Sequence, residues 1–149
     1  MAITTKFLTI DGLSYFLQKI ATILSAFVSK SSNETITGIK TFNAGMFGGV
    51  VAMGTSSAID VTQGSFFVKT ITANTTLSFV NAPSSAGCCV TLVLGNGGNY
   101  TVTWPSSVKW SDNTPPTLTQ NGSDALTFIT VDGGTTWYGA LSCVGIANQ

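Results

Sequence analysis

The sequence predicts a mainly β protein in which an N-terminal α-helix, joined into a trimeric helical bundle, precedes an antiparallel β-sandwich-like domain. Three observations predict it. Between Asp11 and Lys30 apolar residues recur at seven-residue spacing. From Glu34 onward the apolar period falls to two. Clusters of Gly, Asn, Asp, Ser and Pro then interrupt the chain about every ten residues, the rhythm of short antiparallel strands. These signals divide the chain into a helical segment 1–32, an extended linker 33–56 and an antiparallel β-domain 57–149.

The helix comes first. Leu13, Ile20 and Phe27 lie seven apart, and Phe16 and Ile23 form a second row with the same spacing. Leu17 and Leu24 widen the stripe. Asp11 or Thr9 can accept from the orphan amides of the first turn. Thr35, Thr37 and Gly38 lie past its end, where β-branched residues and glycine disfavour helix. At about 1.5 Å per residue the helix is about 27–30 Å long. Its stripe can pack on the chain's own β-domain or on other copies. Both rows hold the seven-residue repeat, and the helix precedes the strands rather than interrupting them, so self-association is the expectation. Leu13, Phe16, Ile20, Ile23 and Phe27 are the trimerisation residues, since aromatic Phe16 and Phe27 suit a trimer or larger bundle over a tight dimer. The apolar run from Ile20 to Val28 is about half the length a bilayer span requires, so neither membrane insertion nor a signal peptide is expected.

The β-region begins with the extended stretch 35–42 and the glycine-rich "NAGMFGGVVAMG". Candidate strands follow at Ala58–Val61, Phe66–Thr72, Thr76–Val80, Cys89–Leu94, Tyr100–Trp104, Ala125–Val131 and Trp137–Val144. Turn-forming clusters separate them: "NAPSSAG", "GNGGN", "SDNTPP", "QNGSD" and "DGG". Val90, Leu92 and Leu94 share one strand face, and Leu126 and Phe128 another. The absence of βαβ alternation excludes a parallel nucleotide-binding sheet.

Composition narrows the chemistry. Charged residues are only 8% of the 149, with six lysines balancing six acids, so there is no field to hold nucleic acid. A surface this poor in charge predicts that copies of the chain cover one another. Histidine is absent, which removes the usual base for a serine or cysteine nucleophile. Cys88, Cys89 and Cys143 contain no C-x-x-C pair and read as free thiols. No metal, cofactor or catalytic residue is expected. Four N-x-[ST] sequons, at Asn33, Asn74, Asn99 and Asn121, read as by-products of Asn/Thr-rich strands. "GNGGN" lacks the following helix and the lysine of a phosphate loop, and reads as a turn.

From "SSAIDVTQGSFFVKTITANTTLSFVNAP" through "CCVTLVLGNGGNYTVTWPSSVKWSDNTPPTLTQNGSDALTFITVDGGTTWYGA", residues 56–140, the chain resembles a domain of bacteriophage virion fibre proteins. The shared pattern runs from an "ID…Q" strand through "NTTL.F", "TVTWP..VKW…PTLT" and "D.LTF.T.DGG.TWYG". "NETITGIKTF" resembles the linker repeats before fibre domains, and "KFLTIDGLSYFLQKI" resembles the opening helix of short trimeric fibres. The resemblance implies a structural homotrimer of the virion, assembled in the bacterial host cytoplasm and attached by its N-terminus with the β-domain outward. Its partners would be its own copies, other capsid or tail proteins, and a host surface glycan if it also serves host attachment. A single β-module after one helix departs from the family's long tail fibres. It points instead to a short head fibre, a capsid decoration protein or a small tail-tip component.

"TVDGGTTW", residues 130–137, also resembles the Asp-box of sialidases and related propellers, a structural hairpin there. Asp132 is expected to accept amides two residues on, Gly133 and Gly134 to supply positive φ in a tight turn, and Trp137 to lie across the sheet. Among the aromatic residues Tyr100, Trp104, Trp110, Trp137 and Tyr138, the candidates for receptor contact are Trp110, beside the polar "SDNTPP", and Tyr138.

Overall fold

The computed structural model describes residues 10–24, 37–39 and 41–147. They fall into two compact units divided between Ala44 and Gly45.

In the first unit Ile10–Leu24 forms helix α1. Asp11 sits in its first turn, where free backbone amides favour a negative side chain. Leu13, Phe16, Ile20 and Ile23, spaced by three and four residues, share one side of the helix. Phe27 lies outside the described residues, as does the predicted last stretch of the helix to Lys30.

The second unit contains ten strands in three sheets. In chain order they are β1 (Val50–Ala52), β2 (Ala58–Asp60), β3 (Phe66–Thr70), β4 (Thr75–Thr76) and β5 (Ser78–Val80), followed by β6 (Cys88–Gly95), β7 (Val102–Thr103), β8 (Val108–Lys109), β9 (Gly122–Thr130) and β10 (Trp137–Ala147). β1 falls inside the stretch assigned to the linker, and the compact unit begins at Gly45 rather than at residue 57. The glycine-rich segment carries just enough β-branched sequence, Val50 and Val51, to join a sheet edge.

The large sheet has the order β1-β3-β6-β9-β10-β8, and β2-β5 and β4-β7 form two small ones. The expectation of an antiparallel sandwich is corrected here. Only β6-β9 and β9-β10 pair antiparallel; β1-β3, β3-β6, β2-β5, β4-β7 and β8-β10 are parallel. The chain leaves the large sheet after β1, passes through β2, and returns as β3 beside the strand it left. It then runs through β4 and β5 and returns again as β6. Each circuit supplies the crossover that a parallel neighbour requires, with short strands in place of a helix. Alternation of apolar residues reports which face is buried and is silent about strand direction.

The core lies on one face of the large sheet. Register aligns Val51, Phe67, Leu92, Leu126 and Leu141 in one row across five strands. Phe67, Leu92 and Leu126 in that row are buried, and Ile59, Ile71 and Leu77 join the same cluster from the circuits.

Buried polar groups tie the ends. Lys69 Nζ donates to the Gly54 carbonyl (3.0 Å) and the Ser56 carbonyl (2.7 Å), holding the β1–β2 connection. Asp124, fully buried, accepts from the Thr119 amide at 2.7 Å and the Thr119 hydroxyl at 2.6 Å. It also accepts from the Gly145 amide at 3.2 Å, where β10 is bulged. Replacing Asp124 by Ala would leave the Thr119 amide and hydroxyl without their acceptor inside the protein. Asp124→Ala is expected to lower stability by about 3 kcal/mol, read as a lower urea midpoint with an unchanged denaturant slope.

Candidate functional site

Thr130 ends β9 and Trp137 begins β10, so Asp132 lies in the connection from Val131 to Thr136, longer than a two-residue hairpin turn. Gly133 and Gly134 have φ of 71° and 84°. The Asp132 carboxyl accepts the Thr136 amide and the Thr130 hydroxyl, both at 2.9 Å. The Thr130 oxygen in turn accepts the Gly134 amide at 2.9 Å. Closure therefore spans four residues, not the two expected of an Asx-turn. The neighbouring loop lies close against both glycines. A Cβ on Gly133 would stand 2.7 Å from the Ser84 carbonyl oxygen, and one on Gly134 2.5 Å from the Ala82 Cβ. The Thr136 amide, with the hydroxyls of Thr130 and Thr136, holds the Asp132 carboxyl below the usual carboxylate range.

Trp137 is buried rather than spread over the sheet, and it stacks on Phe79 with centroids 4.2 Å apart. Phe79 meets Phe128 edge-on at 5.0 Å. Phe128 also touches Trp104 at 5.5 Å and Trp110 at 5.7 Å.

Trp110 is thus half-buried against the core rather than displayed on the polar loop. Gly139 makes room for it, since a Cβ there would lie 2.7 Å from the indole ring. Its Nε1 is buried with no acceptor among the described residues, so ring packing alone holds the side chain. Tyr138, by contrast, is exposed. Alternation explains the split, because Trp137 facing the core turns Tyr138 to the opposite side of the sheet, in line with Ile129 and Lys109. The two candidate receptor-contact residues therefore lie on different faces.

Trp104 and Pro115 separate two adjoining grooves. One, of about 370 Å³, is lined by Tyr100, Val102, Leu118 and Gln120. The other, of about 270 Å³, is lined by Lys109, Trp110 and Asn113. Residue spacing gave no sign of this pairing, although the Trp-Pro and Pro-Pro dipeptides mark the stiff segments that build it. Tyr100 and Trp104 offer ring surfaces and Gln120 an amide, a combination able to stack on and hydrogen-bond a polyhydroxylated ligand. A third groove, of about 640 Å³, is polar and lies over Lys69, with Thr70, Asn74 and Thr75 on its wall.

The carboxyl groups of Asp60, Asp124 and Asp132 are occupied locally. Asp60 accepts the Thr62 hydroxyl at 2.7 Å and the Thr62 amide at 3.1 Å, which together with Asn81 hold it below the usual range. Burial, then the neighbouring Cys89, pushes the Cys88 thiol up. Among the described residues no cluster of three His, Cys, Asp or Glu could hold a metal ion, and no helix is long and apolar enough to cross a membrane. On α1, Leu13, Phe16 and Ile23 are exposed and Ile20 is half-buried.

Comparison of the chain with models of known protein families, with curated proteins and with solved structures finds no match.

The Asp132 tie carries a pH signature. Its folded-state pKa is lowered, so the ionised form stabilises the fold. That contribution is complete above the ordinary Asp value of about 3.9 and is lost as pH falls through the lowered one. The difference in melting temperature between the parent and Asp132→Asn is expected to stay constant from about pH 8 to about pH 5 and to shrink below about pH 4.

Proposed function

We propose that the chain is a structural bacteriophage virion protein, a short homotrimeric fibre of the head or tail. Its N-terminal segment attaches it to other virion proteins and its β-domain projects outward. The apolar seam of α1 carries the reading: Leu13, Phe16 and Ile23 are 45%, 51% and 58% exposed at coiled-coil spacing. A helix with such a seam gains stability by burying it in a bundle of its own kind. The resemblance over residues 56–140 and the 8% charge content support the same assignment.

The proposed role involves no catalysis. Histidine is absent, and the described carboxyls of Asp60, Asp124 and Asp132 engage nearby amides and hydroxyls rather than one another.

Sedimentation equilibrium is expected to return three times the chain mass at micromolar concentration. Phe16→Lys, which places a charge in the seam, should weaken association by roughly 100-fold or more while leaving the β-sheet circular dichroism unchanged. A monomeric parent protein would sink the trimer.

A second reading, host-glycan recognition by the outward domain, is favoured by the groove of Tyr100, Trp104 and Gln120. It predicts binding to host-cell polysaccharide on an array, reduced at least tenfold by Gln120→Ala. Absence of binding by the parent would remove this reading and leave the fibre assignment intact.

A further inference from the structure

The outer face of the large sheet is uncharged and largely apolar, with Thr91 and Thr127 set among its apolar residues. Away from the core, register draws one row from Val50 through Phe66, Thr91 and Thr127 to Ala140. A second runs from Ala52 through Val68 and Val93 to Cys143. A third holds Cys89, Ile129 and Tyr138 and reaches Lys109 at the β8 margin. No outward position in these rows on β1, β3, β6, β9 or β10 carries a charge. Phe66 is 45%, Ile129 46% and Tyr138 55% exposed. A sheet with one face in a core ordinarily turns a polar face to water. An uncharged, largely apolar face on the other side marks a surface that is covered in the working state.

We propose that this outer face packs against other copies of the same chain. Two arguments choose that occupant. The first is area. Two rows across five strands and a third across β6, β9 and β10, with strands about 4.8 Å and rows about 7 Å apart, cover roughly 400 Å² in plan and more as accessible surface. A specific interface takes about 600–1,000 Å² from each partner. The second is charge. An ion set against this face would lose its hydration without gaining a counter-charge, so the covering surface must also be uncharged. The face itself meets that condition, and the chain as a whole has few charges to bring. Copies around a symmetry axis present such surfaces to one another repeatedly. The number of copies rests on the homotrimer reading; the interface does not rest on α1.

The test uses the full chain with Cys89, the other exposed thiol on this face, replaced by Ser, and two readouts, solution mass and the rate at which maleimide labels the exposed Cys143. Ile129→Lys puts a charge on the face without touching the core, and Phe16→Lys is the parallel helix variant. The parent is expected to be multimeric, to label Cys143 at least tenfold more slowly than Ile129→Lys does, and to yield inter-chain links with a bismaleimide. Ile129→Lys should lose mass at unchanged circular dichroism. Should that variant fail to fold, protection and cross-linking of Cys143 in the parent decide alone. A multimeric parent whose Cys143 labels as fast as a small-molecule thiol overturns the proposal and leaves the α1 seam as the assembly site. A monomeric parent with protected Cys143 also overturns it, because another part of the chain then covers the face. A monomer with free Cys143 overturns both assembly readings.

Discussion

Everything in the β-unit hangs on one row of apolar contacts, Val51, Phe67, Leu92, Leu126 and Leu141, level across five strands. Burying a side chain of this kind contributes about 1.5–3 kcal/mol. The row is contiguous only because two circuits of chain, and the longer connection from β6 to β9, bring distant segments into step. On most half-buried sheets a slip of one residue is forbidden because polar residues would enter the core. Here the outer face is also largely apolar, so hydrophobicity alone discriminates weakly between the two settings. Buried polar groups do that work. Lys69 finds the Gly54 and Ser56 carbonyls, and Asp124 finds Thr119 and Gly145, in one register only. A slip would turn both residues away from their partners.

The same economy of charge shapes what the molecule can do. Asp60, Asp124, Asp132 and the buried Lys69 are committed to holding loops. Two uncharged, largely apolar surfaces remain, the α1 seam and the outer sheet face, and both suit association. The aromatic residues divide between core and groove. Trp137, Phe79 and Phe128 stabilise the centre, while Trp104 and Tyr100 reach the groove wall. Gly139 links the two, because the absence of a side chain there lets Trp110 lie against the sheet.

Seven strands were legible within a few residues because period-two alternation and turn clusters are local signals. β1 and β8 were not, being three and two residues long and set among glycines or beside prolines, and the expected strand Thr76–Val80 proved to be two, β4 and β5. The turn at Asp132 was legible as a turn, since Asp-Gly-Gly demands positive φ. The close approach of Ser84 and Ala82, which leaves no room for a side chain at Gly133 or Gly134, comes from a distant loop that no local pattern indicates. Trp110 read as exposed because its sequence neighbours are polar; the residue that buries it, Gly139, arrives from another strand.

Taken by itself, the sequence determined that the chain is mainly β after one amphipathic helix and that no histidine chemistry is available. Those properties follow from spacing and composition, which need no partner to be read. Only the tertiary structure decided which strands are neighbours, that most of them run parallel, and that Trp110 and Tyr138 lie on opposite sides. Strand direction and neighbour choice depend on where a connection returns, and that is settled by contacts between residues far apart in the chain.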